Sequence, residues 1–335
     1  MNVARLEPGS ATRRIKILSG APQMLAEMFN IISIAGALIL LCILFSALTP
    51  AFLTVDNGYH IMQQVAVLLV VAVGQSVVIY TAGIDLGQAA VVALAGVLGA
   101  TAAVRTDNVW VGILVTIFVG ALAGVLNGLL IVGLRLVPFI ATLAMLGIAS
   151  GSALIVTGGQ PVFDLPKAFT AFGSGSVGMI PYTAAIAFLV IIVGHFYLSA
   201  TRSGRHIYAI GSNYSGSRSV GIRVKRVVVA AYIISGMTAG IAAILQYSYL
   251  QTAQPTMDMN LELNAIAAVI IGGGSLFGGE GNLLGTVAGV LLIGVLTNGT
   301  QLIGLSSYVQ TILLGLVVIL AVSIDNFRRS ERLAA

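Results

Sequence analysis

Long apolar segments, separated by short charged or glycine-rich stretches, run along almost the whole chain. The intervals that contain no charged residue are 28–55, 57–84, 86–104, 108–134, 136–163, 168–201, 227–257, 263–279 and 281–324. A helix of about 20 apolar residues crosses the hydrocarbon of a bilayer, and the last interval is long enough for two crossings. The pattern therefore predicts ten membrane-spanning helices, near 28–48, 60–80, 88–104, 109–133, 138–157, 182–199, 227–249, 263–277, 283–302 and 308–324.

The composition supports a membrane protein. Of the 335 residues 58% are hydrophobic and 8% are charged, whereas about 25% of a typical soluble domain is charged. So few charged residues cannot cover the surface of a water-soluble fold of this size, and that class is excluded. We therefore predict an all-α polytopic protein, with a transmembrane domain over 28–325, an N-terminal segment over 1–27 and a C-terminal tail over 326–335.

The basic residues indicate the orientation, because lysine and arginine near membrane spans remain on the cytoplasmic side. With ten helices and a cytoplasmic N-terminus, every basic residue except Arg105 and Lys167 falls inside. Both termini are then cytoplasmic. The net charge of +5 fits the anionic lipids of the inner leaflet and does not indicate nucleic acid.

No catalytic or metal-binding group is predicted. The single cysteine, Cys42, cannot form a disulfide within the chain. The three histidines do not cluster with carboxylates at metal-ligand spacing, and no serine, histidine and acid arrangement indicates nucleophilic catalysis.

A weak internal repeat is visible. Residues at a constant offset of 191 are identical: Val78 and Val269, Ile79 and Ile270, Gly83 and Gly274, and Gly87 and Gly278. The matches favour a duplication over about 60–157 and 250–324, which we interpret as an inverted repeat. Transporters commonly contain inverted repeats, with the pathway at the interface between them.

Glycines are abundant, and they fall into two kinds of pattern. Several lie four residues apart, which places them on one helix face and favours close helix packing: Gly120, Gly124 and Gly128; Gly147 and Gly151; Gly236 and Gly240; Gly285 and Gly289. Others interrupt the helical pattern, because each glycine in a helix costs about 1 kcal/mol relative to alanine. The glycine-rich turns contain Gly83, Asp85, Gly87, Gly272, Gly273, Gly274, Gly278 and Glu280.

Asp85 and Glu280 lie at comparable places in the two glycine-rich turns. A carboxylate within a membrane is costly and is therefore a functional candidate. The topology, however, places both at the cytoplasmic boundary, where water can reach them, so a structural role is favoured over proton or ion coupling. Uncharged polar residues within the spans are candidates for a solute pathway or for bonds between helices: Gln75, Asn127, Thr142, Asn298 and Gln310.

Three segments together resemble the ribose-type permeases of bacterial ABC sugar importers. The segment 82–86 resembles the first signature of that family, and 272–281 followed by 285–289 is similar to the second. The third is a basic cytoplasmic loop over 201–226, whose matching residues are Thr201, Gly204, Arg205, Tyr208, Gly211, Asn213 and Gly221. The chain departs from the family at Gly87-Gln88-Ala89, where serine, valine and glycine usually follow, and at Ser212, where glycine is common.

The resemblance implies a type II ABC importer-like permease of the bacterial inner membrane that imports a monosaccharide by alternating access and is not an enzyme. Its implied partners are a second permease subunit, identical or related, a cytoplasmic ATPase that docks on the 201–226 loop and a periplasmic sugar-binding protein. The ATPase would bind the ATP, so no cofactor is expected here. Two alternatives stay open: a branched-chain amino-acid ABC permease and an ion-coupled secondary transporter that uses Asp85.

Overall fold

The computed structural model describes residues 21–256, 260–306 and 308–316, with the single positions Ile319 and Ser323. The predicted C-terminal tail, most of the N-terminal segment and most of 317–325 lie outside the described residues. The helices are α1 (Ala21–Leu48), α2 (Val55–Tyr80), α3 (Gln88–Thr106), α4 (Val109–Gly133), α5 (Pro138–Thr157), α6 (Lys167–Ser174), α7 (Tyr182–Ala200), α8 (Arg202–Ser212), α9 (Tyr214–Ser219), α10 (Val224–Leu250), α11 (Asn260–Ile271) and α12 (Leu283–Leu302). A two-stranded antiparallel hairpin, β1 (Ser176–Val177) and β2 (Ile180–Pro181), precedes α7.

Within the described residues, seven helices are long and apolar enough to cross a membrane: α2, α3, α4, α5, α7, α10 and α12. The apolar part of α1, Ile32–Leu48, and α11 are shorter, and residues 308–316 are also helical. Each of the ten predicted segments thus overlaps a helix. The polytopic, all-helical architecture is confirmed apart from the small hairpin.

Short polar side chains fix where several of these helices begin. The side-chain oxygen of Thr54 accepts a hydrogen bond from the backbone N–H of Asn57 at the start of α2. Asn108 and Asn282 cap α4 and α12 in the same way, with bonds of 2.9 Å to the second residue of each helix. These caps satisfy backbone donors that have no partner inside the helix.

A seam of glycines joins α4 to α10. A Cβ added at Gly120 would contact the backbone of Gly236, and one added at Gly236 would contact the backbone of Gly120. A Cβ at Gly124 would likewise meet the backbone of Tyr232. Because these positions carry no side chain, the two helix backbones approach directly, as the four-residue spacing predicts.

Helix α3 begins deep inside the bundle. Its first residue is Gln88, whose side-chain nitrogen Nε2 lies 2.7 Å from the hydroxyl of Ser235 and 3.5 Å from the carbonyl oxygen of Val71. Val71 and Ser235 both lie near the middle of their own long helices, α2 and α10. The connection after Tyr80 therefore re-enters the bundle before α3 starts. The depth that it reaches, at the level of Val71, corresponds to about nine residues of α2, or roughly 13 Å.

Helix α11 begins at the same level and ends early. The carboxylate of Glu262 accepts a hydrogen bond from the backbone N–H of Ala89 in the first turn of α3. The helix ends at Ile271, so the prediction of a helix over 263–277 is wrong from residue 272 onward. The reason is local, because Gly273 adopts φ +92° and Gly278 adopts φ +80°, conformations that a continuing right-handed helix excludes.

The residues that match at an offset of 191 do not belong to segments of opposite direction. Glu262, near the start of α11, lies beside Ala89 at mid-bundle, while Gly274, just after its end, packs against the ring of Tyr80 at the end of α2. Helix α11 therefore runs parallel to the second half of α2. The residue matches at an offset of 191 therefore pair segments of the same direction and do not themselves support an inverted repeat, which stays a prediction.

The segment 158–181, between α5 and α7, is folded onto α10. Phe169 of α6 makes an edge-to-face contact with Tyr247, with ring centroids 4.9 Å apart. Val162 forms an isolated β-bridge with Ala253. Helix α6 and the hairpin did not follow from the apolar pattern, because eight residues and two short strands fall below the length of a span.

Candidate functional site: a three-segment junction and a half-helix cavity

The three segments that carry the family resemblance meet in space. The backbone N–H of Gly279 donates to the carbonyl oxygen of Tyr80, at 3.0 Å. The ring of Tyr208 stacks on that of Tyr80, with centroids 5.2 Å apart, and the hydroxyl of Ser212 lies 3.5 Å from the carbonyl oxygen of Gly279. We call this contact among residues 80–83, 208–212 and 278–281 the signature junction.

Glycine is required in the signature junction because backbone touches backbone there. A Cβ at Gly211 would collide with the carbonyl oxygen of Tyr80 and the backbone nitrogen of Gly279. Gly278, at φ +80°, would likewise collide with the backbone of Ala82. Three segments far apart in sequence are thus held at main-chain contact distance.

Helix α8, the first helix of the 201–226 loop, packs one face against the bundle and exposes the other. The hydroxyl of Thr201 caps it by accepting the N–H of Gly204 at 3.0 Å. Gly204 is buried against the end of α7, where a Cβ would collide with the carbonyl oxygens of Tyr197 and Leu198. Arg205 is exposed on the opposite face of α8.

The remaining loop residues shape the exit from α8. The side chain of Asn213 caps α9 by accepting the N–H of Gly216 at 2.7 Å. Gly221, at φ +83°, ends the turn before α10. The 201–226 loop is therefore two short helices with one face against the bundle.

Asp85 is buried rather than accessible to water. It is 3% exposed, and both carboxylate oxygens are occupied: one accepts the N–H of Gly87 at 3.0 Å and the other the hydroxyl of Ser235 at 2.7 Å. The prediction that water reaches Asp85 at the cytoplasmic boundary is wrong, because the α2–α3 connection enters the bundle. Glu280, in the other glycine-rich turn, is exposed.

Three more glycines of the turns are close-packed. A Cβ at Gly83 would approach the hydroxyl of Tyr232, and one at Gly87 would lie 3.1 Å from the carbonyl oxygen of Thr142. Gly272 lies against the backbone of Gly285 at the start of α12. Each turn therefore packs directly against a neighbouring helix.

The five pathway candidates do not converge. Asn298 exchanges two amide hydrogen bonds with Asn57, of 2.8 and 3.0 Å. Thr142 donates to the backbone of its own helix, and Gln310 lies 3.2 Å from the carbonyl oxygen of Leu305. Gln75 and Asn127 are fully or almost fully buried, in α2 and α4. None of the five lines the cavity described next, so their role in a pathway stays a prediction.

A cavity of about 250 Å³ opens where α3 and α11 begin. Its described walls come from α3, α5, the segment before α11 and α11 itself: Ala89, Ala90, Ala93, Leu146, Ser150, Leu154, Pro255, Thr256 and Glu262. One water needs roughly 10–15 Å³ by the same kind of measure. We call this space the half-helix cavity, and it is large enough for a small solute.

Glu262 is the charged group of the half-helix cavity, and the apolar pattern did not single it out. It is 5% exposed and lies in the first turn of α11. Its carboxylate accepts the N–H of Ala89 at 3.3 Å, so it also faces the N-terminus of α3. The positive ends of two helix dipoles favour a carboxylate at this position. The signal available in the sequence was a pair of acidic residues, Asp258 and Glu262, between two long charge-free intervals.

Comparison with known proteins agrees with this architecture. Residues 59–322 match the family model described as branched-chain amino acid transport system / permease component. The chain is 38% identical to the ribose import permease protein of Escherichia coli (strain K12) over 294 residues, 87% of this chain and 92% of that protein. It is 40% identical to the ribose import permease protein of Bacillus subtilis (strain 168) over 291 residues, covering 86% and 90% of the two chains.

A relative named for a different sugar is also similar. The D-allose transport system permease protein of Escherichia coli (strain K12) is 34% identical over 285 residues, 84% of this chain and 87% of that protein. No solved structure matches the chain. Both the family model and these relatives span most of the chain, and the chain belongs to the branched-chain amino acid transport system / permease component family, among the ribose-type ABC permeases.

Proposed function

We propose that this protein is the membrane-spanning subunit of an ATP-driven importer that moves a ribose-like monosaccharide across the bacterial inner membrane. The observation that carries the proposal is the signature junction. There, helix α8 of the 201–226 loop contacts both the end of α2 and the glycine-rich turn after α11. The relatives named for ribose and allose support a monosaccharide as the cargo.

The junction suggests how a partner ATPase would act on this chain. Helix α8 presents basic side chains outward, Arg202 and Arg205 among them, while Tyr208 and Gly211 on its other side touch Tyr80 and Gly279. A movement of α8 would therefore be passed directly to both glycine-rich turns. ATP stays on the partner, and its hydrolysis shifts the access equilibrium only if the nucleotide states bind the two arrangements differently.

Ten membrane crossings fit the described helices. To the seven long spans we add α1, α11 and the helical residues 308–316. With both termini cytoplasmic, the α8–α9 loop lies on the inner side, and the periplasmic sugar-binding protein would meet the opposite face, to which 158–181 belongs.

We propose an inverted repeat with halves of about 55–157 and 224–324, wider than the halves of about 60–157 and 250–324 that the residue matches predicted. The supporting observation is a pattern of contacts. Helix α4 of the first half crosses α10 of the second at Gly120 and Gly236, and α12 of the second half crosses α2 of the first, where Gly294 meets Val65. In both halves the second helix, α3 or α11, starts at mid-bundle. A two-fold relation that pairs α2 with α10, α3 with α11 and α4 with α12 would produce this pattern.

The glycine pair on α5 supports pairing with a second permease subunit. The glycines of α4, α10 and α12 that lie four residues apart each contact another helix of this chain, but a Cβ added at Gly147 or Gly151 would have no described atom within 4 Å. Small residues four apart let helices of two chains approach closely in a membrane. We propose this face of α5 as part of the contact between the two subunits.

The two rival functions are less well supported. An ion-coupled transporter needs a carboxylate free to bind and release its ion, whereas both oxygens of Asp85 are held by Gly87 and Ser235. A branched-chain amino-acid permease is the description of the family model, but the relatives reported above are named for sugars.

Uptake by cells that depend on this permease tests the proposal. We expect ATP-dependent accumulation of D-ribose or D-allose, lost when the partner ATPase is deleted and insensitive to a protonophore while ATP is maintained. Accumulation of L-leucine in preference to either sugar, or uptake that survives loss of the ATPase, would contradict it.

The docking face can be tested in the same cells. Arg205→Glu reverses a charge that is exposed on α8, so we expect at least a tenfold loss of ATPase binding in membranes, with a weaker salt dependence than the wild type. Arg105→Glu, at the far end of α3, is the matched control and should leave binding unchanged.

A further inference from the structure

The half-helix cavity is not used by the coupling role of the signature junction, yet it contains the most deeply buried acidic side chain after Asp85 among the described residues. A buried carboxylate in a membrane protein is costly to keep. Glu262 differs from Asp85 because its hydrogen bond to the described chain, from Ala89, engages Oε2 and leaves the other oxygen for a ligand. A carboxylate with a purely structural role would be expected to use both of its oxygens, as Asp85 does.

The walls of the cavity match a small, neutral, hydroxylated solute. Ala89, Ala90 and Ala93 give one smooth apolar side, and hydroxyl groups come from Ser150 and Thr256. Sites for small molecules are commonly apolar with a few well-placed polar groups. The carbon-bound hydrogens of a sugar can lie on the alanines while its hydroxyl groups donate to Glu262.

The same geometry disfavours a zwitterionic amino acid. A substrate carboxylate would be expected to bind at a helix N-terminus, but the N-terminus of α3 already holds the carboxylate of Glu262. The described wall residues include no lysine, arginine or histidine. A second negative charge would therefore be repelled.

A second, smaller space lies beside the half-helix cavity. It has a volume of about 20 Å³, shares the wall residue Ala93 with that cavity and is lined further on by Gly96, Gln246 and residues 252–254. The side-chain oxygen of Gln246 is buried with no hydrogen-bond partner among the described residues. Buried polar atoms are normally satisfied, so this oxygen is free to accept a hydroxyl group. Two polar positions thus follow one another towards the end of α10.

We propose that the half-helix cavity is a transit site for the monosaccharide within each permease subunit, where Glu262 and Ser150 bind its hydroxyl groups. The proposal rests on the sugar-import function proposed above and adds to it a site in the membrane. It predicts that closing the cavity stops the solute but leaves the protein folded and bound to its ATPase.

Cysteine modification during turnover tests the site. In a Cys42→Ser background the chain has no cysteine, so Ser150→Cys adds a single thiol on the cavity wall. Ser152→Cys, two residues further along α5 and also partly exposed, is the control because it does not line the cavity. Cells taking up D-ribose are treated with a bulky, water-soluble trimethylammonium methanethiosulfonate reagent. We expect the S150C chain to lose at least nine-tenths of its uptake and the S152C chain to keep it.

A second variant tests the carboxylate. Glu262→Gln keeps the size and an oxygen that can accept the N–H of Ala89, but it removes the charge that strengthens hydrogen bonds from sugar hydroxyls. We expect about a tenfold lower rate of D-ribose uptake, with unchanged thermal unfolding and ATPase binding. Asp107→Asn, an exposed residue after α3, should behave as the wild type.

The outcomes separate the site from the function. If the wild type takes up sugar and either test variant matches its control, the transit site is wrong and the importer assignment stands. If the wild type takes up neither D-ribose nor D-allose, the proposed function fails first.

Discussion

The signature junction and the half-helix cavity lie at the two ends of one short connection, yet they are built in opposite ways. Ala82, which the backbone of Gly278 touches, lies only seven positions before Ala89, which lines the cavity. In the junction a methyl group added at Gly211 or Gly278 would collide with the main chain of another segment, whereas the cavity leaves about 250 Å³ open. The contrast teaches that this chain is close-packed where we propose that the ATPase acts and open where we propose that it receives solute.

The largest expected effect comes from filling the junction. Gly211→Val would place its side chain against the backbone of Tyr80 and Gly279, which cannot move as a flexible side chain would. Overpacking typically costs about 1–3 kcal/mol, and a collision with the main chain belongs at or above the upper end. We expect a fall of that size in unfolding free energy and loss of ATPase binding, measured by thermal unfolding in detergent and co-purification. Gly133→Ala, in open space at the end of α4, should be neutral.

The second-largest effect is expected from removing the carboxylate of Asp85, which joins the α2–α3 connection to α10. Asp85→Ala breaks the bonds to Ser235 and Gly87 and leaves their donors unsatisfied, which costs about 1–3 kcal/mol. Ser235→Ala should give a smaller loss, and the double variant should be less destabilised than the sum, since the two side chains share one bond. A double-variant cycle by thermal unfolding measures this coupling. If Asp85→Asn abolished uptake with no change in stability, an ion-coupling role would return.

The tyrosine stack should matter less. Tyr208→Ala removes a stacked contact with Tyr80, worth about 0.5–1.5 kcal/mol beyond burial. We expect a loss of that size or slightly more, together with a few-fold lower uptake, because one of the contacts between α8 and α2 is gone. Tyr208→Phe keeps the ring and should restore uptake to near the wild-type rate. Equal behaviour of the two variants would show that the ring stack does not transmit movement.

The smallest effect on stability is expected at the cavity. Leu146→Ala changes a wall that already faces open space, so it should cost less than the roughly 2–5 kcal/mol usual for a packed leucine. Leu245→Ala, at a fully buried position of α10, is the matched comparison and should fall in that range. Similar losses for both would mean that the cavity is closed by packing in solution.

Much of the architecture follows from the apolar pattern. The charge-free intervals predict all ten helical segments, and the four-residue glycine spacing predicts the direct contact at Gly120 and Gly236. These features depend on local composition, namely on how long a segment avoids charge and which face lacks side chains. The end of α11 at Ile271 did not follow from the apolar interval, which counts glycines 272–274 as apolar, but it agrees with the glycine-rich turn that the same glycines predict.

Depth and long-range contact could not be predicted. Asp85 was expected in water because it follows a full-length apolar segment, and nothing local shows that the next helix starts beside Ser235, 150 positions away. Glu262 could not be identified from the sequence for the same reason, because its hydrogen-bond partner Ala89 lies 173 positions earlier. The resemblance identified three segments by residue type, but only the fold shows that Tyr80, Tyr208 and Gly279 touch.

Helix α2 is fastened at both of its ends to parts of the chain that come much later. Near its start the amide of Asn57 is paired with that of Asn298 on α12, and at its last residue Tyr80 is paired with Gly279. Because these contacts hold both ends of α2 to later parts of the chain, a displacement of Gly279 at one end would also act on the contact with α12 at the other end of this 26-residue helix.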